Sequence, residues 1–166
     1  RGIFFLYEPE DSNYHGIGIL DSVNYGVDPG KWQIYNHIGA QKLLQEQTAD
    51  VVFTWDPDGD RFNILTQAPA SIAEKARAAA LEVDPLDENR CLVYFKPNQI
   101  YFLLTALRTH ALARAGHLQK YDFVAAVTYP TSRSIPAIAR AIAAEHHANV
   151  HSVLVPVGFK YFGELV

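Results

Sequence analysis

Strand-like and helix-like segments alternate through the second half of the chain, and this alternation is the feature that most restricts its fold. Apolar runs of about 4–8 residues are typical of buried strands, whereas apolar residues recurring every three or four positions are typical of an amphipathic helix. Strands separated by helices predict an α/β fold with helices packed over a sheet. The strand candidates are LVYF (92–95), FVAAVTY (123–129) and HSVLVPV (151–157); the helix positions are Ile100, Leu103, Leu104, Leu107, Ala111 and Leu112, and then Ile135, Ile138 and Ile142.

The first half of the chain has a less regular pattern of the same kind. PLDEN (85–89) is rich in turn residues and predicts a domain boundary. We therefore expect two α/β units, residues 1–88 and 89–166, each a mixed sheet layered with helices. The elements expected in the first unit are a buried strand at GIFFLY (2–7), a helix ending at QKLLQEQ (41–47), strands at VVFTW (51–55) and RFNILT (61–66), and a helix over 71–84 with Ser71 as its N-cap.

The composition argues against several classes of protein. The formal net charge is -4 without a basic cluster, so no nucleic-acid partner is expected. The apolar runs are shorter than the roughly 20 residues that a membrane-spanning helix needs, so no membrane partner is expected. Cys91 is the lone cysteine, which fits a reducing cytoplasm. Because the chain opens on Arg1 and contains no methionine, we expect it to be a fragment of a longer protein.

Three aspartates at alternating positions follow the strand VVFTW, in the sequence DPDGDRF (56–62). Two unit charges about 4 Å apart repel by about 4 kcal/mol at an effective dielectric constant near 20, so this spacing is costly without a counter-charge. Oxygen ligands at positions i, i+2 and i+4 can converge on one hard cation, which removes that cost. A solvated acidic turn is the alternative, because turns favour Asp and Gly. The three aspartates follow a strand, at the end of a sheet, and this position favours a metal site on Asp56, Asp58 and Asp60.

Two other loop types share part of this pattern. Counted from Asp56, an EF-hand loop would need Gly and Glu where this chain has Arg61 and Gln67, so a calcium-sensor loop is not expected. A dehalogenase-type phosphatase would use Asp56 as its nucleophile, but Asp60 stands where that motif has Thr or Val. Arg61 either neutralises the carboxylates or binds a phosphate that the same cation holds. A cation with an open position beside an arginine is suited to phosphoryl transfer.

The DPDGDRF motif resembles the metal loop of the α-D-phosphohexomutases, which follows a buried strand and ends in the same arginine. Three later segments are similar to successive parts of that family's third domain, in the same order. They are FKPNQIYFLL (95–104), VTYPTSRSIPAIA (127–139) and VPVGFKYFGEL (155–165), the last of which resembles the phosphoglucomutase form of the family's G-(F/W)-K loop. The resemblance covers residues 48–66 and 92–166, while residues 1–45 and 67–90 have no match.

The resemblance implies phosphohexomutase-type α/β/α units and a specific reaction. That reaction interconverts hexose 1-phosphate and hexose 6-phosphate through a phosphoserine and a bisphosphorylated sugar. Mg²⁺ would be the cofactor and a phosphosugar the substrate, with glucose favoured. Arg61 would stabilise the transferring phosphoryl group. The metal ligands would be Asp56, Asp58 and Asp60.

The resemblance also implies roles for Gly158 and Lys160 in the second unit. Lys160 would lie near the reacting phosphate and the sugar hydroxyls, where a cation orients and stabilises charge. Gly158 would let the main chain approach the ligand closely. Taken alone, Lys160 is typical of a solvated surface lysine and Gly158 of a turn glycine.

Some motifs of the family are absent from the chain. No (T/S)-A-S-H-N-P segment carries a phosphorylatable serine, and the sugar-selecting Glu–Ser loop would follow Val166. We therefore expect most of a second domain and an incomplete third one, which depend on the missing domains of the same protein and are inactive alone. Two alternatives stay open: a dehalogenase-type phosphatase with Asp56 as nucleophile, and a metal-binding paralogue without catalytic activity.

Overall fold

The computed structural model describes residues 2–6, 9–19, 30–56, 59, 61–158 and 160–165, and these residues form a mixed α/β structure, as the sequence predicts. The chain divides into two compact units, Arg1–Pro97 (unit 1) and Asn98–Val166 (unit 2). The strands are β1 (Val51–Trp55), β2 (Phe62–Pro69), β3 (Glu82–Pro85), β4 (Arg90–Phe95), β5 (Phe123–Thr128) and β6 (Val150–Val155). The helices are α1 (Trp32–His37), α2 (Ala40–Gln45), α3 (Ala73–Ala78), α4 (Pro97–Arg114), α5 (Ser134–Glu145) and α6 (Lys160–Gly163).

Unit 1 contains an antiparallel sheet in the order β1-β2-β4-β3. Strand β1 alternates strictly between buried and exposed residues, so it covers the core with one face only. The exposed positions of β1 are Val51, Phe53 and Trp55. The covered face packs against α1 and α2, and its core consists of Tyr35, Ala40, Leu44, Val52, Leu65, Leu92 and Tyr94.

A pair of buried polar residues, Thr54 and Asn63, contacts two tyrosines of this core. The two residues face each other across β1 and β2. The Tyr35 hydroxyl and the Thr54 hydroxyl share a hydrogen bond of 3.0 Å, and Asn63 Nδ2 donates to the Tyr94 hydroxyl at 3.0 Å. Burial raises the pKa of the Tyr35 phenol far above its usual value, so the hydroxyl stays protonated. Both polar side chains are thus held by tyrosines.

The segment PLDEN is a turn, as predicted, but it joins two strands of one sheet. Asp87 Oδ1 accepts the main-chain N–H groups of Asn89 and Arg90 at 2.9 Å, and Asp87 Oδ2 accepts from Arg90 Nε at 2.7 Å. The hydrogen bond from Arg90 lowers the pKa of the Asp87 carboxyl. Because β4 pairs with both β2 and β3, the units divide after Pro97 rather than between residues 88 and 89.

The helix expected over residues 71–84 is wrong in its length. Residues 70–72 form a 3₁₀ turn, α3 ends at Ala78, and β3 follows from Glu82. Ser71 makes no side-chain cap, since the residue before α3 is Ile72. Ala80 adopts a left-handed conformation with φ 60°, and the Leu81 N–H donates to the Ala76 carbonyl at 3.0 Å. This pattern closes a helix even without glycine.

Several apolar residues expected to be buried are exposed. Residues 2–6 form no strand, and Ile3 is 90% exposed. On α4 the structure buries Ile100, whereas the leucine side of the predicted apolar face is open, with Leu107 67% exposed. Helical periodicity identified this helix correctly but did not show which of its residues are covered. The exposed members are Phe4, Phe5, Leu6, Leu103 and Leu104.

Unit 2 pairs β5 with β6 in parallel and packs helices against them. Its core consists of Ala113, Leu118, Ala139, Ala143 and Val150. Pro97 starts α4, and Gly116 follows its end with φ 70°, both as predicted. Neither described sheet is mixed, so this part of the expectation is wrong for the described residues. Among those residues, no helix combines the length and the apolar character needed to cross a membrane.

The buried Asn63–Tyr94 pair yields a test of the unit 1 core. We expect Tyr94→Phe to lower the free energy of unfolding by about 1–3 kcal/mol, because Asn63 then keeps a buried donor without an acceptor. The double variant Asn63→Leu/Tyr94→Phe should cost less than the sum of the single changes, because both polar groups are gone. Urea unfolding followed by tryptophan fluorescence measures this, since Trp32 and Trp55 both lie in unit 1. Strictly additive costs would contradict the coupling.

Candidate functional site

The turn between β1 and β2 holds the first aspartate and the arginine of the predicted metal loop. Trp55 and Phe62 form the last strand pair, so Asp56 and Arg61 leave adjacent strand ends. The Asp56 N–H donates to the Arg61 carbonyl at 3.2 Å. The Gly59 N–H donates to the Asp56 carbonyl at 3.1 Å, and Gly59 has φ 73°, which favours glycine. The hairpin therefore brings Asp56 and Arg61 together.

The Asp56 carboxylate and Arg61 form a close ion pair. The Asp56 side chain is 0% exposed and that of Arg61 is 53% exposed. Asp56 Oδ1 accepts the Arg61 main-chain N–H at 3.0 Å, and Asp56 Oδ2 accepts from Arg61 Nε at 2.7 Å. Two charge-assisted bonds on a buried carboxylate make a strong local contact. Neutralisation of an aspartate by Arg61, one of the two predicted roles, is therefore observed for Asp56.

The remaining two predicted metal ligands, Asp58 and Asp60, lie outside the described residues. At Asp56, each carboxylate oxygen accepts one hydrogen bond from Arg61. The three-aspartate site stays a prediction. In the described part of the chain, no three His, Cys, Asp or Glu side chains lie together as a possible metal site.

Gly158 and Lys160 lie in unit 2, after β6 and at the start of α6. Gly158 has φ 132°, a conformation that favours glycine, and its carbonyl accepts the Tyr161 N–H at 3.2 Å. A Cβ atom there would make only ordinary contacts with the Tyr161 ring, so the backbone angle is the reason for glycine. The Lys160 side chain is exposed, and its Nζ lies 4.7 Å from the Tyr161 ring centroid. A turn glycine and a surface lysine account for these contacts.

The exposed aromatic surface beside Asp56 was not predicted from the sequence. Phe53 and Trp55 project from the exposed face of β1 and stack with their ring centroids 5.8 Å apart and their planes inclined by 29°. They line an open cavity of about 1100 Å³, together with residues 2–6 and Asp56. Alternation of apolar residues with Thr54 would have predicted Phe53 and Trp55 to be buried and Thr54 to be exposed, so it gave no signal for this surface.

The Asp56–Arg61 pair has a measurable effect on stability. We expect Asp56→Asn to lower the free energy of unfolding by about 1–3 kcal/mol without any metal, because the amide removes an anionic acceptor from Arg61. Asp84→Asn is the matched control, since Asp84 is an exposed aspartate of the same unit. Urea unfolding of both variants decides the matter. Equal stability of the two variants would contradict the role of the pair.

Comparison with known proteins gives no relative for this chain. No protein-family model matches it, and no curated protein or solved structure matches it at a significant level. The functional interpretation therefore rests on the motifs of the sequence and on the contacts described above.

Proposed function

We propose that this chain is the metal-loop and substrate-loop part of a phosphohexomutase, in which the hairpin turn after β1 binds Mg²⁺. The observation that carries the proposal is the close Asp56–Arg61 pair in the DPDGDRF turn, with 2.7 Å between Oδ2 and Nε. It brings a carboxylate, the type of ligand that hard cations prefer, beside a guanidinium, a group that binds phosphate in many proteins. Support also comes from the order of the four motifs along the chain, which resembles that of the phosphohexomutases.

Each residue of the proposed site has a separate task. Asp56, Asp58 and Asp60 would hold Mg²⁺, which supplies positive charge to the transferring phosphoryl group when bound. Arg61 is fixed by Asp56 through Nε, so its orientation is set before any substrate arrives. Its exposed guanidinium would stabilise negative charge on the phosphoryl oxygens. Lys160 would orient the reacting phosphate and the sugar hydroxyls.

The rest of the proposed activity depends on the longer protein. Other domains of that protein would supply the phosphoserine and the remaining contacts to the phosphosugar. The products would be hexose 1-phosphate and hexose 6-phosphate, with glucose favoured by the likeness of VPVGFKYFGEL to phosphoglucomutases. The enzyme would work in the cytoplasm, and the 166-residue chain alone would be inactive.

The phosphatase with Asp56 as nucleophile stays an alternative. A nucleophilic oxygen has to reach the phosphorus atom of its substrate, just as a ligand oxygen has to reach Mg²⁺. The Asp56 side chain is 0% exposed and both of its oxygens accept hydrogen bonds from Arg61, so these contacts do not favour one role over the other. A phosphoenzyme trapped on Asp56 would favour the phosphatase, and one trapped on a serine would favour the mutase. A metal-binding paralogue would form neither phosphoenzyme.

Magnesium binding is the first test. We expect calorimetric titration to detect Mg²⁺ binding to the protein and Asp58→Asn to weaken it strongly, because one of three anionic ligands is lost. Without metal, Asp58→Asn should leave the stability unchanged or raise it, because the loop loses one repulsive charge. Asp84→Asn, which removes an exposed carboxylate elsewhere in unit 1, should bind Mg²⁺ as the parent does. Unfolding of Asp58→Asn with unchanged Mg²⁺ affinity would contradict the site.

The role of Lys160 can be tested in the full protein with a matched lysine. Lys120 Nζ lies 5.2 Å from the Tyr121 ring centroid, so Lys120 has a cation–π contact with the next tyrosine, as Lys160 does. We expect Lys160→Gln to lower kcat/KM for glucose 1-phosphate conversion by about 10²–10³-fold, as expected for loss of a charge that stabilises the transition state. Lys120→Gln should leave that activity unchanged. Equal activities of the two variants would exclude the role of Lys160.

A further inference from the structure

Unit 2 contains a small cavity between α5 and the β5–β6 sheet. Its volume is about 170 Å³. Ligand sites for drug-sized molecules range over about 300–1,000 Å³, so this cavity can take only a small chemical group. Its polar lining consists of Arg133, Arg140 and Ser152, and its apolar lining includes Val127, Pro136 and Leu154.

The two arginines reach the cavity because of their spacing on one helix. Arg133 directly precedes α5 and Arg140 lies seven positions later, which is about two helical turns, so both side chains lie on one side of the helix. Ser152 is on β6 opposite Ala125, on the sheet face that packs against α5. Arg140 Nη1 donates to Ser152 Oγ at 2.5 Å. This bond fixes the Arg140 guanidinium at the wall of the cavity.

The charges around the cavity favour an anion. No carboxylate forms an ion pair with Arg133 or Arg140 among the residues that the structure describes. Unit 2 as a whole carries six Lys and Arg residues against three Asp and Glu residues, an excess of positive charge. Arg133 and Arg140 both line the cavity, and an anion bound there would be attracted by both positive charges. The positive end of the α5 helix dipole lies at Arg133 and also attracts an anion.

We propose that this cavity binds the phosphate group of a phosphorylated ligand. The planar guanidinium groups of Arg133 and Arg140 match pairs of phosphate oxygens, and the Ser152 hydroxyl offers a further donor. The side chains of Val127 and Leu154 on the apolar wall have no polar atoms that could compete with the phosphate for the arginines. The phosphate group enters the cavity while the remainder of the ligand stays outside it, because the volume excludes a whole nucleotide. This site is additional to the proposed mutase site, which uses Gly158 and Lys160 in this unit.

The test is a titration of the ¹⁵N-labelled protein with inorganic phosphate, without Mg²⁺ and at constant ionic strength. We expect saturable shifts in the Nε–H signals of Arg133 and Arg140 and in the amide signal of Ser152. Arg133→Gln and Arg140→Gln should each raise the Kd for phosphate about tenfold or more, as expected when a charge-assisted bidentate contact is lost. Arg140→Lys should recover only part of the affinity, because lysine lacks the planar fork.

Two control variants separate this site from general charge effects and from the mutase site. Arg108→Gln removes one exposed positive charge from unit 2 outside the cavity and should leave the Kd unchanged. Lys160→Gln should also leave it unchanged. Shifts that do not saturate, or an equal loss of affinity in Arg108→Gln, would overturn the proposal. A loss of affinity in Lys160→Gln but not in Arg140→Gln would assign the phosphate to the mutase site and would likewise overturn it.

A second titration with glucose 1-phosphate identifies which part of the ligand is recognised. Binding at Arg133 and Arg140 with the same Kd as inorganic phosphate supports recognition of the phosphate group alone. Binding of glucose 1-phosphate at these residues without any binding of inorganic phosphate would overturn the proposal, because the sugar would then carry the affinity.

Discussion

The buried hydrogen bonds of Thr54 and Asn63 determine how unit 1 is arranged. The two residues face each other on β1 and β2, and each is bound by a tyrosine, Tyr35 or Tyr94. A shift of one residue in the register of either strand would turn its polar side chain to the opposite face, and the tyrosine partner of that side chain would lose this hydrogen bond in the core. The correct register is thus favoured over its neighbours by polar contacts as well as by apolar packing. Because Asp56 follows Thr54 by two positions, the same contacts fix where the hairpin turn begins.

Local elements of this fold could be predicted from sequence, and their partners could not. The strand VVFTW and the helix from Pro97 were expected where β1 and α4 occur, because alternation, periodicity and end signals are local properties. The assignment of β4 to the second unit was wrong, because nothing in LVYF says which strands it will pair with. Likewise, Leu107 belongs to the apolar face of α4 but is exposed in the described structure. Periodicity identifies the apolar face of a helix, but it does not show whether another element packs against that face.

The chemistry of the candidate site could be foreseen to a similar extent. The acidic turn and its arginine were evident from DPDGDRF, and the Asp56–Arg61 contact is one of the two outcomes that this spacing allowed. The Arg140–Ser152 hydrogen bond could not be predicted from the sequence, because it joins a helix and a strand whose packing is not a local property.

Charge is also unevenly distributed: unit 1 carries fifteen acidic residues against eight basic ones, whereas unit 2 has an excess of basic residues. The chain total of -4 hides that asymmetry.

The central position of β4 has a consequence for the order in which the chain folds during synthesis. The β1–β2 hairpin involves only neighbouring segments and can form as soon as both strands have left the ribosome. Strand β3 pairs only with β4 in the described sheet, although β3 is made first. It therefore has to wait, without a partner, until residues 90–95 emerge. During that interval the edge of β2 that β4 later covers is unpaired, and an unpaired strand edge can associate with other chains.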